Sequence, residues 1–363
     1  MNGSTNSLGG GGNHILQWNS NYTYKVKDLC VYNGHVWRCD KSCTNITPGT
    51  NYNYWNVTYS NKNLLDNWDF TNPVNQRGQT EYDNLDCSHT NGMTIDRWQI
   101  IDYHKVSIKD GYVLLTGSAQ SNQYGQIIQN WFDDIKKVRG KTFTLSLKYY
   151  QSSSYSSRIT AWFTTGVAGI DNSVTGTNTS GIISTTFTIP SNDTSAYVVI
   201  GNSLTKSYTE ARIYAVKLEY GDISTLANDM LGVSYDEELH KCQYYYQRFT
   251  SSQDFSTFST TNTWVGNGIV FGTLEMTRPM RKMPILSFKD AFLQIEDKSI
   301  RFVPNITSMT VEPSAVSGDL GTTSTTLKFM ATYDSSGWSS DTSHEFCLVN
   351  LRNGGYIELN AEL

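Results

Sequence analysis

The chain has 363 residues, a formal net charge of −5, and 17% charged against 13% aromatic residues. That length allows two or three domains, and without a basic stripe to meet phosphates, nucleic acid is excluded as the expected partner. Low charge with abundant Tyr, Trp, Ser, Thr, Asn and Gly favours an all-β chain with polar, aromatic surfaces over a helical enzyme.

Residues 1–17 form a Gly- and Asn-rich leader, read as flexible, which either links to a partner or has no role. Met1 to Gly12 has no basic n-region and no apolar h-region, so it is not read as a secretory signal. No apolar run approaches the ~18 residues of a membrane helix, so no membrane insertion is expected. The chain is therefore read as made in a cytosol, reaching the exterior by assembly into a particle or by lysis. The Asn-x-Ser/Thr sequons at Asn21, Asn45 and Asn56 follow from composition.

Residues 18–59 read as a small β module. Asn33-Gly34 between Cys30-Val31-Tyr32 and His35-Val36-Trp37 is a strong local hairpin signal. The order W…Y-x-V-x-D-x-x-x-Y-x-G-x-x-W…P…W resembles the small chitin-binding-type carbohydrate-binding modules of families 5 and 12, a pattern that also recurs in phage tail proteins. The resemblance implies three strands and exposed aromatic rings that stack on the apolar face of a pyranose. Trp18, Tyr52, Tyr54 and Trp55 are the candidates for carbohydrate binding; Trp37, on the hairpin, is read as core. Tyr54 and Trp55 follow the Pro48-Gly49 loop and are expected to be exposed.

Six cysteines occur, at Cys30, Cys39, Cys43, Cys87, Cys242 and Cys347. Three crowd the small module with His35 between the first two, but the spacing lacks the C-x₂-C knuckle of a zinc site. They read as small buried hydrophobes. A Cys30–Cys39 or Cys39–Cys43 disulfide stays open after release to an oxidising exterior, with cytosolic synthesis counting against it.

Residues 63–222 read as a β-sandwich. The stretch from Asn63 to Trp98 cannot be helical, because Pro73 and Gly78 break it; it reads as an ordered loop with one or two short strands, pinned by Trp68, Phe70, Tyr82 and Trp98. Beyond it, Phe143, Leu145, Leu147 and Tyr149 alternate with polar residues, as do Ile183, Phe187 and Ile189. Many short strands bounded by turn residues signify a sandwich, with a jelly roll as topology. The Val138–Ser146 stretch and the late Ala215–Glu219 strand resemble carbohydrate-binding jelly-roll modules. That likeness allows a structural calcium ion with no readable ligand set; no other cofactor is expected. Asp66, Asp69, Asp83, Asp86 and Asp96 crowd the opening, where a glycosidase would need two paired carboxylates. Nothing pairs them, and G-x-S-x-G and H-E-x-x-H are both absent. No catalytic residue is expected. Asp96-Arg97-Trp98 reads as a structural lock, with Arg97 on a carboxylate and Trp98 in the core.

Residues 223–248 read as a linker with a helix over 234–248, capped by Ser234 or Asp236, with Leu239, Cys242, Tyr246 and Phe249 on one face. Residues 249–363 read as a C-terminal β head domain with strands near 268–276 and 356–363. Trp338, among small polar residues, is a further candidate carbohydrate contact or else a turn residue folded onto the core.

Four motifs carry one further resemblance. N-L-L-x-N-W-x-F-x-N-P-V-N-Q-R-G followed by I-D-R-W, then Leu218–Thr225, then E-E-L-x-K-C-Q-x-Y-Y-Q-R, and last Y-I-x-x-x-A-E-L are similar to tail-fibre, receptor-binding proteins of bacteriophages and prophages. The resemblance implies a non-enzymatic virion protein, assembled in the bacterial host cytoplasm. Its implied form is a homotrimer that joins other tail or baseplate proteins and binds bacterial cell-surface glycan. A glycan-depolymerising tail protein and a purely structural virion or adhesin component remain the alternatives.

Overall fold

The computed structural model describes residues 15–83, 92–101, 104–117, 125–130, 135–152, 159–165, 171–192, 196–202, 211–229, 234–250, 256–261, 265–266, 269–281, 284–297, 300–302, 305–311, 326–333 and 346–361. They form two compact units. The first draws on stretches within Met1–Thr71, Asp102–His104 and Gly111–Val233; the second draws on stretches within Asn72–Ile101, Lys105–Asp110 and Ser234–Leu363. The fold is all-β, as expected: the described residues form several antiparallel sheets, and no described helix is long and apolar enough to cross a membrane.

The first unit begins with the small module. Its strands are β1 (Thr23–Tyr24), β2 (Leu29–Tyr32), β3 (His35–Cys39), β4 (Cys43–Thr44) and β5 (Trp55–Val57). The order β2-β3-β5 gives the expected three-stranded sheet, and β1 pairs with β4 beside it. Asn33 and Gly34 both take positive φ (48° and 79°), so the hairpin between β2 and β3 has the turn that its sequence encodes. Tyr24, Cys30, Trp37, Cys39, Trp55 and Val57 form the core.

The sandwich follows. Strands Ser180–Thr188, Thr142–Gln151, Ala211–Tyr220 and Tyr112–Gly117 lie in that order in one sheet; Asp171–Thr175, Ile159–Thr165, Ala196–Asn202 and Gly125–Asn130 lie in that order in the other. The chain passes back and forth between the sheets, which is jelly-roll connectivity. Leu145 lies opposite Leu218 and Leu147 opposite Val216, and all four are buried, so the alternation read from sequence marks the core face.

The opening stretch is laid along the Ala211–Tyr220 strand. Leu64 donates its N–H to Leu218 O (2.8 Å), Phe70 to Tyr214 O (2.9 Å), and Val216 to Trp68 O (3.1 Å). Asn63 adds a side-chain clamp: its Nδ2 donates to Val216 O and its Oδ1 accepts from Leu218 N. Leu65, Trp68 and Phe70 are buried along this seam.

The second unit contains the rest of the opening stretch. Glu81–Asp83 pairs with Lys105–Ser107, and Tyr82 and Trp98 are buried, as read. Its two larger sheets are Tyr246–Thr250, Phe346–Asn360, Ile285–Asp297 and Ile300–Phe302 in order, and Val265–Gly266, Ile269–Glu275, Thr326–Tyr333 and Ile306–Val311 in order. Phe346–Asn360 is long because it takes two partners along one edge: Tyr246–Thr250 pairs with its end and Ser256–Thr261 with its start. Leu274, Phe329, Val349, Leu351, Ile357 and Leu359 belong to the core of this unit.

The expected helix is corrected in length. It runs only Tyr235–Cys242, capped by Ser234, whose Oγ accepts from Glu237 N. Gln243–Tyr245 turns, and Tyr246–Thr250 is a strand, so Tyr246 and Phe249 are not on a helical face. Aromatic residues suit a pleated surface, and the Tyr356–Asn360 edge offers a complete ladder of partners, which outweighs continuing the helix.

Candidate functional site

Four of the five proposed carbohydrate contacts lie in the small module, and the fold places them differently. Trp55 is corrected: expected to be exposed, it is fully buried. It lies on β5 opposite Cys39, its Nε1 donates to Ile46 O (2.8 Å), and the Tyr24 ring meets it edge-on at 4.8 Å. A module this small fills its interior with its largest side chains. Trp37 is buried too, as read. Tyr52 is half-buried, and its hydroxyl accepts from Ser224 N (3.1 Å), so it joins the module to the sandwich. Tyr54 is half-buried, with the Lys41 ammonium 4.9 Å from its ring centroid. Trp18 is half-buried and packs edge-on against Tyr32 at 5.4 Å. Trp338 lies outside the described residues.

The most accessible aromatic near these is one that the sequence reading passed over. Tyr22 is 43% exposed. The Trp18–Tyr24 loop holds it: Tyr22 N donates to Asn19 O (3.1 Å), Asn21 N to Asn19 Oδ1 (2.9 Å), and Asn19 N to the Tyr24 hydroxyl (2.8 Å). The Tyr22 ring rests edge-on against Tyr24 at 4.8 Å, and Tyr24 rests on Trp55. An exposed ring is thus braced through two others to the module core. Exposed Asn19 and Asn21 carry amide groups in the same loop, and the Thr23 and Thr44 hydroxyls pair at 2.8 Å on the adjoining strands. A flat face beside amide and hydroxyl groups can meet a sugar ring's C–H face and its hydroxyls together. Sequence spacing gave no signal for Tyr22, because it depends on a turn in which neighbouring Asn residues bond one another.

The Asp40 carboxylate ties β3 to β5 through Arg38 and Asn56. Its Oδ1 accepts from Arg38 Nε (2.6 Å), and its Oδ2 accepts from Arg38 Nη2 (3.1 Å) and Asn56 Nδ2 (2.7 Å). Burial raises the Asp40 pKa, but these bonds outweigh it and hold the carboxyl below its ordinary value.

The module is joined to the sandwich by a buried polar lattice. On the sheet face opposite the sandwich core, Lys217 and Glu219 are fully buried. Lys217 Nζ contacts Thr225 Oγ1 (2.6 Å), Ser60 Oγ (3.1 Å), Glu219 Oε2 (3.7 Å) and the Asp229 carboxylate. Asn228 Nδ2 reaches Val57 O and Tyr59 O in the module, both at 2.6 Å. The Leu218–Thr225 motif is thus a joint whose polar groups satisfy one another.

The acidic cluster of the opening stretch is committed elsewhere. Asp69 Oδ1 accepts from Thr71 N (3.0 Å) and Thr71 Oγ1 (2.6 Å), the behaviour of a turn residue. In the second unit, Asp96 is fully buried against Arg77 Nη1 (3.1 Å) and Gln76 Nε2 (2.7 Å). Trp98 is in the core, and Arg97 lies over the Tyr245 ring at 3.5 Å. Asp66 is half-buried; the Asp83 side chain and Asp86 lie outside the description. Among the described residues, Cys30, Cys39, Cys43 and Cys242 are free thiols, and no group of three or more His, Cys, Asp or Glu is placed to hold a metal ion.

No family model matches the chain, and no curated protein matches it. Among solved structures, it is similar to the CBM22-1 xylan-binding domain from Paenibacillus barcinonensis Xyn10C (7% identity, TM-score 0.30, 46% of this chain and 99% of that one). It is also similar to a CBM4 structure (17% identity, TM-score 0.28, 43% and 99%) and to the CBM22-1–CBM22-2 tandem of the same Xyn10C (9% identity, TM-score 0.28, 84% and 99%).

Proposed function

We propose that this chain is a non-enzymatic host-attachment protein of a bacteriophage or prophage tail that binds bacterial cell-surface glycan. The observation that carries the reading is the braced, exposed Tyr22 ring with Asn19 and Asn21 in one loop of the small module. The four tail-fibre-like motifs support the virion setting. The engagement of Asp69 and Asp96 in turn and ion-pair roles supports a binder over a hydrolase. One aromatic platform gives weak affinity, since contacts replace water at small net gain. A homotrimer carried in many copies on a particle compensates by multivalency.

The test is binding of the purified chain to intact bacterial cells and isolated wall glycans, with polymer length followed in the same tubes. Retained polymer length with binding that falls in Tyr22→Ala is the expected result. Shortened polymer means a depolymerase instead. No binding to any cell type, with a defined protein partner, means a structural component.

A further inference from the structure

We propose that the outer face of the sandwich is a second glycan site, one that takes a carboxylate-bearing glycan and is separate from the Tyr22 loop. On the Thr142–Gln151 strand, Leu145, Leu147 and Tyr149 are buried toward the core, so half-buried Lys148 and Tyr150 face the other way. Arg212 lies directly opposite Tyr150 on one side and Leu114 on the other. Its Cζ is 4.8 Å from the ring centroids of both Tyr150 and Tyr112, so the guanidinium is held against two rings, one from each flanking strand. Tyr214 extends the cluster. The register slips between Lys148, opposite Ala215, and Tyr149, opposite Ile213, which leaves Tyr214 as the extra residue of a bulge. Its ring meets Tyr112 edge-on at 6.2 Å. Arg212 and the rings of Tyr112, Tyr150 and Tyr214 are all half-buried, so each keeps part of its surface open.

The chemistry of this face selects an anion carried on a sugar. The phenol rings offer apolar surface to C–H groups and hydroxyls that donate or accept. A guanidinium stacked on rings keeps its N–H donors in its own plane, and that edge matches a carboxylate. Lys148 puts a second cation on the same face. Ser180 and Leu114, which complete the Tyr150–Arg212 row, carry no charge. Among the described residues, the one carboxylate in register with this cluster is Asp69, bridged to Ala215, and its Oδ1 is committed to Thr71 N and Oγ1. Two cations beside one committed carboxylate complement a negatively charged ligand. The Tyr22 loop, by contrast, offers uncharged amides and hydroxyls.

The test is affinity electrophoresis of the full chain through gels containing polygalacturonate, alginate or hyaluronan, with the methyl ester of each polymer as its neutral counterpart. The expected result is retardation by at least one acidic polymer that its ester does not give. Arg212→Gln should weaken that retardation about tenfold. Arg212→Lys should fall in between, since lysine keeps the charge without the planar edge. Lys148→Gln removes the second cation and should weaken retardation less; it takes over the test if Arg212→Gln does not fold, which thermal melts of each variant establish. Equal retardation by acid and ester, or none by any of these polymers, would overturn the proposal. So would native retardation in a folded Arg212→Gln chain, or in Lys148→Gln where Arg212→Gln is unfolded. Each of those results leaves the Tyr22 reading standing, because that loop meets a sugar without a charged group. Retardation lost in Tyr22→Ala but kept in Arg212→Gln would place the acidic contact in the small module and overturn the proposal as well.

Discussion

The Glu219 carboxylate accepts two hydrogen bonds from Thr225, one from the backbone N at 2.7 Å and one from the hydroxyl at 2.5 Å. That pair closes the turn through Gly221, whose φ of +103° suits glycine and whose N–H donates to Thr142 O (3.0 Å). It also places Thr225 where its hydroxyl meets Lys217 Nζ. Lys217 therefore compensates two buried or nearly buried carboxylates, Glu219 and Asp229. Replacing Lys217 with Met keeps the volume and strands those charges, an arrangement that costs about 3–5 kcal/mol. Urea unfolding of Lys217→Met should show that loss, and Lys217→Met combined with Glu219→Gln should recover part of it. A change below about 1 kcal/mol in the single variant would mean that water already screens the lattice.

Acid sensitivity should trace to Asp40. Its folded pKa lies below its unfolded value, so its contribution is present above the unfolded pKa, about 4, and is lost as pH falls through the depressed folded value. Glu219 runs the other way. Burial raises its pKa above the ordinary carboxyl value, against the opposing pull of Lys217 and Thr225. It takes up a proton more readily when folded, so its contribution favours the fold at low pH and falls as pH rises through the folded value. Thermal melts between pH 2 and 7 should therefore show an acid-side decline that shrinks in Asp40→Asn. An unchanged acid limb in that variant would assign the decline to other carboxylates.

What could be read from sequence was what local chemistry dictates. The Asn33-Gly34 hairpin, the Ser234 cap and the Phe143–Tyr149 alternation each depend on neighbours in the chain, and the structure contains all three. Thr144 and Ser146 show where that limit falls. Alternation marks them as the polar face, yet both are fully buried, because Gly221 O and Ser224 Oγ cover them from another part of the chain. The same limit explains Trp55 and Tyr246. One follows a loop signal and the other a helical spacing, but their places are set by strand partners 16 and 114 residues away, at Cys39 and Asn360. Tyr22 was missed for the converse reason: its exposure results from a turn, and no periodicity marks it.

In the second unit, the Tyr244–Tyr246 run is matched by arginines. Arg77 lies 3.9 Å over Tyr246, Arg97 3.5 Å over Tyr245, and Arg278 5.2 Å over Tyr244. Arg77 also holds buried Asp96, and Gln76 bridges Asp96 to Tyr246 O (2.8 Å). The N-P-V-N-Q-R-G and I-D-R-W motifs thus meet on one carboxylate. Arg77→Ala removes both the ion pair and the ring contact, and should cost about 3–5 kcal/mol in chemical unfolding. Arg77→Lys keeps the charge but not the planar fork, and should fall between Arg77→Ala and the native chain. Equal stability of Arg77→Ala and the native chain would show that Asp96 finds other compensation.

Two aromatic substitutions separate the glycan surface from the core that supports it. Trp55→Ala empties the centre of the module and should cost about 3–5 kcal/mol, with binding lost only because the module unfolds. Tyr22→Ala removes an exposed ring whose loop is held by hydrogen bonds that do not use the Tyr22 side chain, and should change stability by about 0.5 kcal/mol or less. If Tyr22 is the platform, that variant loses about 1 kcal/mol of glycan affinity, roughly fivefold, with an unchanged melting temperature. Tyr22→Phe keeps the ring and should retain most of the binding. Glycan-column retardation and thermal melts on the same preparations decide the matter. Native retardation in Tyr22→Ala would remove the Trp18–Tyr24 loop as the contact surface and turn attention to Tyr54, whose ring carries Lys41 at 4.9 Å.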